Sequence, residues 1–194
     1  MMNYEINISS KKSLMTQAGF TLIEMLIVIF IIGVLAAFAV PMYREVLVKN
    51  SENQAQARLS QLAVELQRWR TSALTFRGFY PAICGTGTNC YDNGNTEIYV
   101  PSGSNATTYR YKITLTDYET ANSTLVPAGN NTSNFAIGRQ WKMVAEPNPN
   151  NSFLVNASRI YMDSKGIKCK APQSTIDLTI MQTNHGCGSV SVNW

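Results

Sequence analysis

One carboxylate lies inside a long apolar segment near the start of this 194-residue chain. Glu24 follows Phe20 by four residues, and it is the only charged residue between Gly19 and Val40. A run of about 20 apolar residues is long enough for a helix to cross the hydrocarbon core of a bilayer. Because an ionised carboxylate in lipid is costly, Glu24 needs a cationic partner and indicates a functional site.

The residues that flank this segment predict its orientation. Lys11 and Lys12 lie just before it, and Glu5 is the only acid that precedes it. By the positive-inside rule the N-terminus stays in the cytoplasm and the C-terminus is sent outward. A secretory signal peptide would have a shorter apolar core. We therefore predict a membrane anchor.

Cysteines are the second chemically reactive set. The four cysteines fall into two pairs close in sequence, Cys84 with Cys90 and Cys169 with Cys187. An outward-facing domain meets an oxidising compartment, so disulfides are expected. Three pairings are possible, and we prefer the two sequence-local ones. A zinc site that uses Cys169, His185, Cys187 and a more distant cysteine is the alternative, but the C-x2-4-C spacing that such sites favour is absent.

No residue pattern in the chain indicates catalysis. The G-x-S-x-G, H-E-x-x-H and G-x-x-x-x-G-K-[ST] motifs do not occur, and His185 is the only histidine. A single histidine leaves little for acid–base chemistry. We predict a protein that is not an enzyme and that holds no cofactor and no metal.

The elements that carry these residues follow from hydrophobic periodicity. Beyond the anchor, apolar residues recur at steps of seven, four and three: Val48, Ala55, Leu59, Leu62, Leu66 and Trp69. Glu52 and other polar residues lie between them, which predicts a helix with one apolar stripe and one solvent-exposed face. The pattern predicts a helix from about residue 21 to about residue 72, whose second half packs on a sheet. A coiled-coil seam is the alternative.

Strand signals follow the helix. Residues 108–116 alternate between apolar and polar types, which is typical of a half-buried strand. Residues 134–145, 153–162 and 175–181 are further predicted strands, and residues 163–166 form a turn. The polar tract 119–134 is predicted to be an exposed loop. A long helix followed by antiparallel strands predicts an α+β fold.

The stretch from Ala18 to Tyr43, AGFTLIEMLIVIFIIGVLAAFAVPMY, resembles the N-terminal signature of type IV pilins and type II secretion pseudopilins. The resemblance covers roughly an eighth of the chain. It implies that a prepilin peptidase cuts after Gly19 and that the new N-terminal Phe20 is N-methylated. It also implies that Glu24 docks on the Phe20 amine of a neighbouring subunit during assembly.

The resemblance also implies a division of the chain. Residues 1–19 would be the leader, residues 20–43 the hydrophobic transmembrane and assembly half of the helix, residues 44–76 its amphipathic half, and residues 77–194 a globular β-sheet head. The loop closed by Cys169 and Cys187 would match the C-terminal disulfide region of pilins, which is surface-exposed and often adhesive.

Three further stretches, residues 51–59, 77–81 and 165–169, show a looser similarity to PilE-type minor pilins. They imply a structural subunit of a type IV pilus, specifically a minor pilin that primes or joins the filament and supports twitching motility, adhesion or DNA uptake. A type II secretion pseudopilin is the alternative, although no acidic loop offers calcium ligands.

A basic stretch in the head suggests a further alternative, a minor pilin that acts as a DNA receptor or adhesin. Its residues are Arg139, Lys142, Arg159, Lys165, Lys168 and Lys170. A basic face with interspersed aromatics suits phosphates and stacked bases. Removal of residues 1–19 would lower the net charge from +4 to +3. That charge is weak for a dedicated DNA binder, so an ordinary solvated face is favoured.

Location and partners follow from the resemblance. We expect a single-pass inner-membrane protein with a periplasmic C-terminus before assembly, and a subunit of a cell-surface pilus afterwards. The expected partners are other major and minor pilins, the prepilin peptidase and the inner-membrane assembly machinery, with DNA or a surface ligand as a further candidate.

Overall fold

The computed structural model describes residues 19–81, 91–92, 97–120, 123–125, 136–174, 178–183, 185–190 and 192–194. The chain divides into two compact units, Met1–Pro41 and Met42–Trp194. The described part of the first unit consists of Gly19, Phe20, Thr21 and the start of the long helix.

Helix α1 spans Leu22–Ala73 and confirms the helix predicted for residues 21–72. Thr21 precedes it as N-cap, because its hydroxyl oxygen accepts a hydrogen bond from the Glu24 backbone N–H at 3.2 Å. At the other end, the Leu74 N–H donates to the Arg70 carbonyl at 2.9 Å. Leu74 then leaves the helix in the left-handed region with φ 60°.

The described strands form one seven-stranded antiparallel sheet in which every strand pairs with its neighbours in sequence. They are β1 (Tyr91–Asp92), β2 (Glu97–Val100), β3 (Tyr111–Asp117), β4 (Trp141–Pro147), β5 (Ser158–Asp163), β6 (Lys168–Pro172) and β7 (Val192–Asn193). A short helix α2 (Leu178–Thr183) and a 3-10 turn (Gly188–Val190) lie between β6 and β7. The α+β prediction is confirmed.

The front face of the sheet, defined here as the face that packs on α1, contains the main core. Its α1 members are Ala55, Leu59, Leu62 and Leu66, and its strand members include Ile98, Tyr111, Ile113, Leu115, Trp141, Met143, Ala145, Ile160 and Met162. The four α1 side chains are fully buried. Packing of the predicted stripe on a sheet is therefore confirmed over a coiled-coil seam.

A second, smaller core lies on the rear face of the sheet. Val144 and Tyr161 pack there with Cys169, Met181 and Cys187. The segment that connects β6 to β7 thus covers this part of the sheet. The rear face is apolar where that segment lies over it.

Several strand and loop predictions need correction. The strands predicted for residues 134–145 and 153–162 begin later, at Trp141 and at Ser158. Residues 178–183 form α2, so the strand predicted for residues 175–181 is wrong at residues 178–181, and residues 175–177 lie outside the described residues. Leu178 and Met181 are three residues apart and pack in the rear core, which is a helical spacing that a short apolar run does not distinguish from a strand. Within the tract 119–134, Ser123 and Leu125 are buried, so that part is not an exposed loop. The turn at residues 163–166 is confirmed.

Candidate functional site

The first unit exposes its apolar side chains on all sides. Leu22 is 83% exposed, Phe30 69% and Leu35 64%. By length and composition α1 can cross a membrane. Such a surface is stable only in lipid or against other apolar helices, because water would have to hydrate all of it.

Glu24 lies in the first turn of α1. Thr21 fixes this position, because its hydroxyl accepts the Glu24 N–H and its carbonyl accepts the Met25 N–H at 3.2 Å. The Thr-x-x-Glu spacing is that of a capping box. The helix therefore begins just after Phe20, and Glu24 lies one turn from it. Sequence reasoning missed the role of Thr21, although the capping-box spacing signals it.

A second carboxylate of α1, Glu52, lies in an environment that the sequence did not predict. The sequence predicts Glu52 on the solvent-exposed face of the helix, but the side chain is only 7% exposed. Its Oε1 accepts the Ser158 backbone N–H at 2.8 Å, and its Oε2 accepts Lys170 Nζ at 3.0 Å. Tyr111 donates its hydroxyl to the Ser158 carbonyl at 2.8 Å, and its pKa is raised by burial and by the Glu52 charge. Glu52 thus ties the helix to β5 and β6.

One of the six basic residues proposed for DNA is not at the surface. Lys142 is only 1% exposed, so its placement on a basic surface is wrong. Burial lowers the pKa of Lys142, and the Asp117 charge acts against that shift. Lys142 is buried because it lies on β4, between two neighbouring strands of the sheet. Its Cα is paired with those of Thr116 and Asp163 on the rear face.

The other five differ in their surroundings. Lys170 binds Glu52, and Arg159 binds Glu146 at 3.2 Å. Lys165 lies over the Tyr118 ring at 4.0 Å, and Lys168 lies over the Trp194 ring at 5.4 Å. Arg139 is exposed just before β4. DNA binding stays a prediction that the structure does not test.

The disulfide between Cys169 and Cys187 is confirmed, with a Cα–Cα distance of 5.9 Å. It joins β6 to the segment before the 3-10 turn and closes the loop that covers the rear core. Cys84 and Cys90 lie outside the described residues. In the part of the chain that the structure describes, no group of three or more His, Cys, Asp and Glu side chains gathers.

His185 lies within this disulfide-closed loop. Its ring stacks on Tyr118 with a centroid distance of 3.9 Å and an interplanar angle of 17°. Burial, followed by the positive charges of Lys142 and Lys165, lowers the pKa of His185, while Asp163 acts in the opposite direction. The imidazole is therefore a neutral packing element of the loop near neutral pH.

Comparison with known proteins agrees with this arrangement. The family model described as the prokaryotic N-terminal methylation motif matches residues 14–40. The chain is 29% identical over 106 residues to the type IV major fimbrial protein FimA of Dichelobacter nodosus, a match that covers 52% of this chain and 66% of that protein, just under two thirds of its length. No solved structure matches the chain at comparable significance.

A second relative extends further. The chain is 31% identical over 121 residues to a fimbrial protein of Pseudomonas aeruginosa, and the match covers 62% of this chain and 73% of that protein. The match reaches well past the apolar anchor, since the first unit ends at Pro41. With an N-terminal methylation motif, a long helix packed on an antiparallel sheet and this shared sequence, the chain belongs to the type IV pilin family.

Proposed function

We propose that this chain is a non-enzymatic structural subunit of a type IV pilus that enters the fibre through the first half of α1. The observation that carries the proposal is Glu24, the only acid of the exposed apolar segment from Gly19 to Pro41, held in the first turn by Thr21. The matches to fimbrial proteins support the same role.

The proposed assembly step uses charge pairing in a medium of low dielectric constant. Cleavage between Gly19 and Phe20 by a prepilin peptidase would create a cationic amine on Phe20, which is then N-methylated. An incoming subunit in the membrane satisfies its Glu24 carboxylate when its helix reaches the depth at which a neighbour's amine lies beside it. The pair therefore sets the axial register, while apolar packing supplies the attraction between the helices.

The proposed location follows from this step. The chain is stored in the inner membrane with its head in the periplasm, and the inner-membrane assembly machinery moves it into a surface fibre. Its partners there are other pilins, which contact it through the helix.

We further propose that the chain is a minor component of the fibre. The support is the similarity of residues 51–59, 77–81 and 165–169 to minor pilins. Against it, FimA of Dichelobacter nodosus, which is similar to this chain, is a major fimbrial protein. Quantitative mass spectrometry of sheared pili decides between them. A trace amount with a methylated Phe20 supports the minor role, a dominant amount contradicts it, and absence from the fibre contradicts both proposals.

Substitution of Glu24 tests the assembly step. We expect Glu24→Val to insert into the membrane normally and to be lost from sheared pili, with Glu24→Asp milder because it keeps the charge. Glu45→Val is the matched control, since Glu45 forms an exposed ion pair with Lys49 on the same helix. Normal incorporation of Glu24→Val would contradict the mechanism.

A further inference from the structure

The β4–β5 loop, residues 148–157, exposes apolar side chains although it carries no charge. It contains no Asp, Glu, Lys, Arg or His. Phe153 is 49% exposed and Val155 63%, while Leu154 between them is buried and anchors the loop. Water has to hydrate the two exposed side chains, so a surface that removes them from water would stabilise the loop. We name Phe153 and Val155 the loop pair.

The loop pair is displayed on a backbone whose N–H groups have partners inside the chain. The Asn151 N–H donates to the Asn148 carbonyl at 3.1 Å, and the Leu154 N–H donates to the Asn151 carbonyl at 2.9 Å. The Ala157 N–H donates to the Leu154 carbonyl at 3.0 Å. The Phe153 N–H donates to the Asn151 side-chain oxygen at 3.1 Å. Because a backbone N–H without a partner is costly away from water, this loop can enter a less polar layer without losing these hydrogen bonds.

Arg44 connects the loop pair to the end of the apolar segment of α1. Its guanidinium lies 5.9 Å from the Phe153 ring centroid. Arg44 is also the first charged residue after Glu24, and it follows Val40, where the apolar run ends, by four residues. Four residues of helix span about 6 Å, so Arg44 lies at the depth of the lipid phosphates when the apolar run fills the hydrocarbon core. Phe153 then lies at that depth as well.

The charges around Arg44 favour a phosphate as its partner. Glu45, the next residue, is paired with Lys49 at 2.7 Å, so the stretch 44–49 keeps a net positive charge at Arg44. A guanidinium can donate two parallel hydrogen bonds to phosphate oxygens. An acid in the adjacent loop would repel phosphates, and the β4–β5 loop contains none. Tyr43 is exposed beside Arg44, and tyrosine is enriched where the hydrocarbon core meets the headgroups.

The size of this surface favours lipid over a protein as the partner. A stable protein interface buries about 1,200 Å² or more, which two exposed apolar side chains do not supply. A bilayer has no such threshold, because α1 already holds the chain in it. Lipid is therefore present beside the loop pair at a high effective concentration before any other molecule arrives. A contact that is weak by itself is then populated whenever the chain is anchored.

We propose that the β4–β5 loop is a second membrane contact of the anchored chain, in which the loop pair lies in the headgroup layer and Arg44 binds a lipid phosphate. The proposal rests on the proposed location in the inner membrane and goes beyond the helical anchor. The contact stabilises the stored form of the subunit. It has to break when the subunit leaves the bilayer for a fibre.

Spin labelling of the full-length chain tests the loop contact. The Val155→Cys variant is labelled, reconstituted in vesicles of phosphatidylethanolamine and phosphatidylglycerol, and probed with oxygen, which dissolves in lipid, and with a nickel chelate, which stays in water. We expect the ratio of oxygen to nickel collisions to be severalfold higher at position 155 than in a Val64→Cys control. Val64 is 52% exposed and lies 20 residues, or roughly 30 Å, beyond Arg44 on the same helix. The parent chain treated with the same reagent gives the background from the native cysteines.

The possible results separate the loop contact from the anchor. Equal ratios at positions 155 and 64 would show that the loop is as hydrated as the flank of α1, which overturns the proposal. A label at position 155 that is shielded from both reagents is buried against protein, which also overturns it. Carbonate extraction of the same vesicles reports on the anchor. A chain that resists extraction but has a water-accessible label keeps the proposed location and loses the loop contact, whereas an extracted chain contradicts both.

Substitution of Arg44 tests the phosphate contact. Arg44→Gln should lower the oxygen-to-nickel ratio of the label at position 155, because the loop loses its charged link to the headgroups, while Arg44→Lys should preserve it. Replacement of phosphatidylglycerol by phosphatidylcholine should lower the ratio for the arginine chain more than for Arg44→Gln, which a purely structural role of Arg44 would not produce. Arg68→Gln is the matched control, since Arg68 is an exposed arginine further along α1. Equal ratios for Arg44→Gln and Arg68→Gln would overturn the phosphate contact.

Discussion

The two halves of α1 share a secondary structure and differ in what covers their apolar side chains. In the first half, Leu26 and Ile29 are 52% and 67% exposed, and the apolar residues surround the helix. In the second half, Leu59, Leu62 and Leu66 form one stripe that the sheet buries completely. The sheet thus completes the second half, while the first half needs lipid or other subunits to cover it.

Glu52 and Glu24, one acid from each half, show the same division. Glu52 is buried and receives hydrogen bonds from Ser158 and Lys170 within the chain. Glu24 is held in the first turn through its backbone N–H, which donates to the Thr21 hydroxyl oxygen. One carboxylate therefore stabilises the head, and the other is proposed to act between subunits.

Truncation of a leucine in each half should give the largest difference. Leu62→Ala leaves a cavity under the sheet and should lower the free energy of unfolding of the head by about 2–5 kcal/mol. Leu26→Ala should change it by less than about 0.5 kcal/mol, because Leu26 is not part of the core. Denaturant unfolding of the full-length chain in detergent, followed by tryptophan fluorescence, measures both. Equal losses would contradict the division of α1.

Removal of the disulfide should have the next largest effect. Cys169 and Cys187 are 18 residues apart. Replacement of both by serine should lower the free energy of unfolding by about 3 kcal/mol in the chain-entropy model. The loss should be larger than for an exposed pair elsewhere, because the loop also covers the rear core. Retention of the parent unfolding midpoint after reduction would show that packing alone holds the loop.

The sequence predicted well where one pattern had one interpretation. The stripe of α1 and the alternation in β3 both specify which face is buried, and the structure follows them. Prediction failed where a residue type was compatible with two environments. Glu52 and Lys142 look like surface charges, but Glu52 is held by partners that lie more than 100 residues away. Such pairing over long sequence separation leaves no local signal.

Substitution of Glu52 and of Glu24 should give the third-largest difference between the two halves of α1. Glu52→Gln keeps an oxygen for the Ser158 N–H but removes the negative charge beside Lys170, so the head should lose about 1–3 kcal/mol of stability. Glu24→Gln should leave the unfolding of the head unchanged and reduce incorporation into pili.

Two further variants test whether the loss of stability in Glu52→Gln comes from the buried contact with Lys170. Glu45→Gln disrupts an exposed ion pair with Lys49 and should leave the unfolding midpoint of the head nearly unchanged. A double variant, Glu52→Gln with Lys170→Met, should recover part of the loss, because the uncompensated cation is removed as well. If Glu52→Gln is no worse than Glu45→Gln, the buried contact does not stabilise the head.

The smallest expected effect is a pH dependence that arises in the disulfide-closed loop. The pKa of His185 in the folded chain lies below its usual value, because of burial and of the positive charges of Lys142 and Lys165. As the pH falls from about 6.5, the unfolded chain takes up a proton on this histidine before the folded chain does, so the contribution of His185 to stability is lost. His185→Gln should flatten the slope of thermal unfolding midpoint against pH between 7 and 5, while the remaining slope reports the other titrating groups. Because Tyr118 stacks on the ring, the variant should also have a slightly lower midpoint at pH 8, where the histidine is neutral in both states. Parallel slopes for parent and variant would show that His185 is hydrated in the folded head and that its pKa is the same in the folded and unfolded chains. The change of the unfolding midpoint with pH would then have to come from other titrating groups.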